Sequence, residues 1–265
     1  MIKLIASDLD GTLLYGRGNS VSDEMFEMIR EMRRKGMLFV AASGRQYHNL
    51  KNLFAPVWED MAFICENGAV VFYKDQIIAQ KVIPKDELLE LIHMIDEDER
   101  TEVILSSPYT TNMCPKTETF PQQIRDLGNH VTVLDKWEDA EEPLVKVAWF
   151  EAGGVEHRLS YWQSKIKPPA KVVTSGAQWL DILFPTTHKG AGIEALQKHF
   201  GIAKEEIVAF GDNLNDTEML SSVGYPIAMK NGKEAILKMC PYHTDCVETT
   251  VRQILDGEFP LDKQF

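Results

Sequence analysis

Positive charge is scarce in this 265-residue chain: 28 lysines and arginines stand against 40 aspartates and glutamates, a net charge of −12. A surface of that sign repels phosphate backbones and anionic headgroups alike, which argues against non-specific binding to nucleic acid or membrane. It also gives no help in drawing in phosphorylated ligands, so local positive charge must do that work. Cysteine is scarce as well. Cys65, Cys114, Cys240 and Cys246 show no CxxC spacing, and the grouping Cys240, His243, Cys246 has no sensibly spaced fourth ligand for zinc. Reduced thiols in a cytosolic protein are the expectation. No apolar run approaches the about 20 residues that a membrane-spanning helix needs. No charged leader followed by a longer apolar region is visible, so no secretory signal is expected and the location expected is cytoplasmic. Internal repeats and low-complexity tracts are missing too.

What is present is enough apolar residue, 44%, for a sizeable core, and a length suited to one large domain or two ordinary ones. Ile2 to Ser7 reads as a buried strand. Ser22 then caps a helix whose apolar stripe is Met25, Met28, Ile29 and Met32, with Gly36 placed to end it. Met37 to Ala42 is a second strand. Strand, helix, strand at this spacing is a βαβ unit with parallel strands. A short helix over 46–54, a strand over 62–65, and a small hairpin of 70–73 and 77–81 follow. From Pro84 the alternation lapses. A helix over 86–99 precedes six short strand candidates at 102–105, 111–114, 131–134, 145–150, 172–175 and 179–184, with helical patterns around 121–127 and 155–166. Regular alternation resumes at Lys189, with a strand at 207–210 and further elements at 225–228, 233–239 and 247–255. The expected architecture is α/β: a Rossmann-like, doubly wound parallel sheet core, residues 1–81 plus 186–265, interrupted by an inserted α+β domain, residues 82–185.

The first strand ends in Asp8-Leu9-Asp10-Gly11-Thr12. That places polar residues at the carboxyl edge of a sheet, where open α/β folds bind ligands. Two carboxylates one residue apart point to opposite faces in extended chain, so a bend, permitted by Gly11, is needed for both to serve one site. Close carboxylates repel, and a hard divalent cation such as magnesium relieves the repulsion. Taken alone, the same residues are equally an Asx-type turn.

They are not alone. Ser43-Gly44-Arg45 follows the second strand, Lys189-Gly190 opens a helix, and Gly211-Asp212-Asn213-Leu214-Asn215-Asp216 follows the strand 207–210. In this order the four stretches resemble the motifs of the haloacid dehalogenase-like hydrolases, and Glu66-Asn67-Gly68-Ala69 resembles a further signature of their Cof-type branch. The insert then resembles that family's C2B cap, placed between the second and third motifs. The resemblance implies a magnesium-dependent phosphatase in which Asp8 is the nucleophile and Asp10 the acid and base. It implies a phosphate cradle from Leu9, Ser43, Gly44, Lys189 and Asn215. Metal ligation falls to Asp8, Asp10 (through its backbone carbonyl) and Asp212, with Asp216 and Arg45 supporting. The substrate it implies is a small phosphate ester, a sugar phosphate first, with nucleotide-like or cofactor phosphates as further classes. No obligate protein partner is implied.

Bland readings stand beside these. Ser43-Gly44 is an ordinary strand-end turn when alone, Asp212 to Asp216 a turn and helix cap, and Glu66-Asn67-Gly68 a hairpin turn. Lys189 is a solvated helix-start lysine, though oddly placed against the helix dipole. His188 has no assigned role. Arg45 binds a second anion or pairs with an acid. Trp137, Trp149, Trp162 and Trp179 are expected to build the cap core, with one or two facing a cleft. The cap is expected to set specificity. The functional rivals are a phosphomutase or phosphotransferase on the same fold and a non-catalytic metabolite-binding module. The second would have lost Asp8, Asp10, Lys189 or Asp212, and all four are present.

Overall fold

The computed structural model describes residues 1–16, 18–175 and 177–260; the expected loop 15–19 and the expected core segment 186–265 therefore lie partly outside the described residues. The chain divides into two compact units, one of Met1–Arg45, Leu50–Gln80 and His188–Phe265, the other of Gln46–Asn49 and Lys81–Thr187.

The first unit begins with β1 (Leu4–Ser7), every residue buried, and α1 (Asp23–Arg34). The Ser22 hydroxyl accepts from Met25 N, closing the first turn of α1, and Met25, Met28, Ile29 and Met32 form its buried face. β2 (Leu38–Ala42), α2 (Tyr47–Leu53) and β3 (Met61–Cys65) follow. β4 (Val70–Tyr73) and β5 (Gln76–Gln80) form the hairpin. Both residues of its turn, Lys74 and Asp75, have positive φ, as a two-residue hairpin turn of matching twist requires.

The second unit holds α3 (Lys85–Asp96), β6 (Thr101–Ser106), β7 (Thr111–Met113), α4 (Phe120–Asp126), β8 (Val131–Val133), β9 (Lys146–Glu151), α5 (Leu159–Lys165), β10 (Lys171–Thr174) and β11 (Trp179–Leu183). Its sheet runs β10-β11-β9-β6-β7-β8, antiparallel except where β7 meets β8. Leu88 and Ile92 of α3 share a core with Val103, Leu105, Val147 and Trp149 of the sheet. Trp137, Trp149 and Trp162 are buried, while Trp179 is half-buried and packs on Phe150 with ring centroids 5.4 Å apart. The buried Glu151 accepts from Trp149 Nε1 (3.2 Å), Trp162 Nε1 (2.8 Å) and Arg158 Nε (3.1 Å). A carboxylate so fully bonded is tolerable in a core that would otherwise exclude it.

The chain returns through α6 (Lys189–Phe200), β12 (Ile207–Gly211), α7 (Thr217–Ser221), β13 (Tyr225–Met229), α8 (Glu234–Met239), β14 (Tyr242–Thr244) and α9 (Val247–Asp256). The eight-stranded sheet runs β14-β13-β12-β1-β2-β3-β4-β5, parallel from β14 to β3 and antiparallel for β4 and β5. Strand β14 is absent from the sequence-based expectation, and the hairpin proves to be the antiparallel edge of the main sheet. This is the Rossmann-like α/β core, with the α+β cap inserted between β5 and α6.

β1 lies between β2 and β12, with Leu4 opposite both Leu38 and Ile207, and Ser7 opposite both Ala41 and Phe210. The chain winds from β1 toward β2 and β3 in its first segment, and fills the other side with β12, β13 and β14 in its last. The order reverses at β1, so the carboxyl ends of β1, β2 and β12 open onto the crevice where such folds hold their ligands.

Candidate active site

The backbone past β1 stays on the ladder for one more residue, Asp8 N donating to Phe210 O at 3.0 Å. It then turns through Leu9–Leu13, closed by Leu13 N to Asp8 O (3.3 Å) and Leu14 N to Leu9 O (2.9 Å). Inside this turn Asp10 (φ −76°, ψ 114°) and Gly11 (φ 86°, ψ −9°) take the angles of a type II turn. That is the bend the two carboxylates require. Only glycine fits the third position: its φ is positive, and a Cβ there would lie 2.5 Å from Asp212 Oδ2. Thr12 Oγ1, next in line, donates to Asp212 Oδ1 at 2.6 Å.

Lys189 is the first residue of α6 and is wholly buried. Its ammonium donates to Asp8 Oδ1 and to Asp216 Oδ1, the latter at 2.6 Å. The other oxygen of Asp216 accepts from Asp212 N and Asn213 N, both at 3.0 Å, which holds the fourth-motif loop in place. Burial would strip the Lys189 proton, but the Asp8 and Asp216 carboxylates outweigh it and hold the ammonium charged, its pKa raised. The cation against the helix dipole is thereby explained. Burial also pushes Asp8 well above the usual carboxylate range, against the pull of Lys189 and with Asp216 and Asp212 adding to the rise. Asp212 is raised too, by burial and then by Asp216, with the Thr12 hydroxyl opposing.

Three carboxylates thus surround one ammonium. Oxygens of Asp8, Asp212 and Asp216 lie within 4.8 Å of one another. Asp216 is committed to Lys189 and two backbone amides, which leaves Asp8 and Asp212, with oxygens within 4.8 Å of each other, as the pair to meet a cation. A surplus of negative charge built from hard oxygen donors fits a magnesium-like cation. Among the described residues, neither Cys240 nor His243 nor Cys246 belongs to a group of this kind.

Asp10 stands apart from that cluster. Its carboxylate is exposed and gripped by Arg45, Nε to Oδ2 at 3.0 Å and Nη2 to Oδ1 at 2.5 Å, while Arg45 Nη1 donates to Asn19 Oδ1 at 2.6 Å. Pairing with an acid, one of the two roles open to Arg45, is present in the structure.

Ser43 is buried at the end of β2; its N donates to Ile64 O at 2.8 Å and its hydroxyl accepts from Arg45 N at 3.2 Å. Asn67 N donates to Ser43 O at 3.0 Å, and a Cβ on Gly44 would lie 3.1 Å from the Asn67 amide. Asn215 Nδ2 in turn donates to Asn67 Oδ1 at 3.4 Å. Ser43, Gly44 and Asn215 are therefore brought together through Asn67, within the stretch that resembles a family signature and also reads as a hairpin turn. That turn is more than a connection. Glu66, Asn67 and Gly68 all have positive φ, and a Cβ on Gly68 would run into the main chain at His188 and Lys189. His188 is the N-cap of α6, its Nδ1 accepting from Ala191 N at 3.1 Å, which gives it a structural role. We expect Gly68→Ala to cost about 2–3 kcal/mol of stability and to slow turnover by displacing Lys189. Denaturant melts and rates that match the parent protein would show that the close approach is unimportant.

Residues 5–251 match the family of haloacid dehalogenase-like hydrolases. A curated relative, the 5-amino-6-(5-phospho-D-ribitylamino)uracil phosphatase of Escherichia coli, is 26% identical, with 99% of each chain covered. The phosphoglycolate phosphatase 1 of Saccharolobus solfataricus is 24% identical, with 98% of each chain covered. Among solved structures, a Streptococcus mutans protein superposes with a TM-score of 0.82 at 22% identity, covering 97% of this chain and 100% of that one. A HAD subclass IIB sugar phosphatase superposes at 0.78 with 22% identity and the same coverage, a likeness of fold. With the motif residues at the carboxyl ends of β1, β2 and β12 and the third motif opening α6, the chain belongs to the haloacid dehalogenase-like hydrolases.

Proposed function

We propose that this phosphatase is magnesium-dependent and hydrolyses a small phosphorylated metabolite, a sugar or polyol phosphate, through an aspartyl-phosphate on Asp8. The observation that carries the reading is the buried Lys189 ammonium shared between Asp8 and Asp216. It aims Asp8 and supplies the local positive charge that a chain of net charge −12 lacks.

In the first step an Asp8 carboxylate oxygen attacks phosphorus and the bond to the ester oxygen breaks. Asp10, protonated, gives its proton to that oxygen, and an alcohol leaves. In the second, water attacks the same phosphorus, Asp10 takes its proton, and the Asp8–phosphorus bond breaks, returning the carboxylate and inorganic phosphate. The Ser43 hydroxyl, the Leu9 and Gly44 amides, Asn215 and Lys189 hold the phosphoryl oxygens. Arg45 keeps the Asp10 carboxylate oriented, and Asp216 keeps Lys189 in place. When bound, magnesium would be held by Asp8, Asp212 and the Asp10 carbonyl and would offset the charge of carboxylates and phosphoryl group.

The substrate class rests on the relatives. One is named for a phosphorylated ribitylamino compound, and a structural neighbour is called a sugar phosphatase. A panel of phosphorylated metabolites with magnesium, read by released phosphate, tests it. We expect sugar and polyol phosphates to lead the panel. Chelator should cut the rate at least about 100-fold, magnesium should restore it, and calcium, with its looser shell, should inhibit. An undiminished rate after thorough metal removal would refute the metal assignment. Release from none of the esters would refute the reading itself.

A further inference from the structure

The turn between β13 and α8, residues 229–233, belongs to none of the motifs that carry the chemistry, yet it reaches two of them. Asn231 Nδ2 donates to Gly11 O at 2.9 Å, across 220 positions of sequence. Two residues on, Lys233 N donates to Asp212 O at 2.8 Å. The turn is itself braced, Gly232 N donating to Met229 O at 2.9 Å and Lys230 N to Thr244 O at 2.8 Å. One short turn therefore grips the bend after the first motif with a side chain, and with its backbone the main-chain carbonyl of Asp212 in the fourth motif.

The grip on Gly11 falls at a consequential point. Asp10 and Gly11 are the two central residues of the type II turn. In such a turn the direction of the Asp10 carbonyl depends on the ψ of Asp10 and the φ of Gly11, and the peptide between them is the one that rotates between turn types. A bond to Gly11 O fixes the following peptide and so restrains that rotation from its far side. From within the bend, Thr12 Oγ1 is tied to Asp212 Oδ1. Asn231 is exposed, so its amide has water as an alternative partner, and the bond contributes only modestly to stability.

We propose that Asn231 is a positioning residue for the reaction: through Gly11 O it sets the Asp10–Gly11 peptide, and with it the cation-facing carbonyl and the acid and base carboxylate of Asp10. The inference rests on the proposed roles of Asp10 and of magnesium. Without the bond the bend samples other peptide orientations, and the productive one is populated only part of the time.

The test compares Asn231→Ala and Asn231→Asp with the parent full-length protein, the second keeping the shape but losing the N–H donor. Four quantities are measured: kcat, KM for the best ester of the panel, the magnesium concentration giving half-maximal rate, and the melting temperature without metal. Magnesium binding is also followed directly by calorimetry. We expect kcat to fall about ten-fold in Asn231→Ala, the scale of one hydrogen bond, with KM within about two-fold, since the phosphate cradle is untouched. Magnesium affinity should weaken several-fold by both measures, and the melting temperature should stay within about 2 °C of the parent. Asn231→Asp should be at least as impaired. Parent-like kcat and magnesium affinity in Asn231→Ala would overturn the proposal, as would a loss that follows a large fall in melting temperature. The Asp8→Asn variant separates this from the broader reading: if it is dead and the parent needs magnesium while Asn231→Ala is normal, only the role of Asn231 fails.

Discussion

Asp8→Asn should abolish turnover, by at least about four orders of magnitude, and leave the protein folded. The amide keeps the shape of the carboxylate but cannot bond to phosphorus as a nucleophile. Stability should respond in an informative way. Asp8 is buried among Asp216, Asp212 and Lys189, and burial sets its carboxyl against ionisation. Replacing it removes a carboxyl whose charged form burial disfavours, while Asp216 keeps Lys189 partnered at 2.6 Å. Without metal, the variant should therefore melt close to the parent. With magnesium the two should part, because a ligand that binds only the folded state stabilises by its concentration over its Kd, and the variant has lost a ligand oxygen. Single-turnover phosphate release and melts with and without magnesium measure both. A folded Asp8→Asn protein with full activity would end the covalent mechanism.

Much of this site was legible because its parts sit where periodicity changes. A run of apolar residues ending in Asp8, Ser43 or Asp212 marks a strand end, and a stripe beginning at Lys189 marks a helix start. What was not legible depends on partners distant in sequence. The direction of Asp10 is set by Arg45, 35 positions away, and Arg45 alone is compatible with any anion. Asn67 lies in a stretch that resembles a family signature, but Asn-Gly is also a hairpin signal, and neither shows its bond to Asn215 across 148 positions. Asn231, followed by Gly232, carries the same turn signal, which says nothing of its bond to Gly11 across 220 positions. His188 was opaque because histidine is an uncommon N-cap, so the capping rules pass over it. Strand β14 escaped because three residues, Tyr-His-Thr, are too few to show alternation. The helices and strands of the insert were visible. Its sheet order was not, since β9 pairs with β6 and β11 across long connections.

Lys189→Met is expected to damage both stability and chemistry, and for one reason. Methionine has a similar length and an apolar end, so it fills the volume without a new polar demand. The ammonium it removes is wholly buried and shared by two carboxylates, one of them, Asp216, also wholly buried. Breaking a buried pair by deleting one partner leaves an uncompensated charge, at a cost of about 3–5 kcal/mol. In a chain of this length that should lower the melting temperature by roughly 10 °C. The penalty should depend on pH. With Lys189 gone, the main force opposing the upward shift of Asp8 is lost. Its folded-state pKa then stands further above the unfolded value, and the folded state binds the extra proton. Stability therefore falls as pH rises through the unfolded carboxylate range up to the folded pKa, and the deficit relative to the parent narrows as pH is lowered. Magnesium should recover part of the stability, since it also offsets the carboxylates. It should not recover turnover, because it does not reproduce the contact that aims Asp8. Denaturant unfolding at several pH values, with rates measured beside it, provides the check. A Lys189→Met protein as stable as the parent at neutral pH, or one that turns over normally, would show that the ammonium is dispensable to the carboxylates around it.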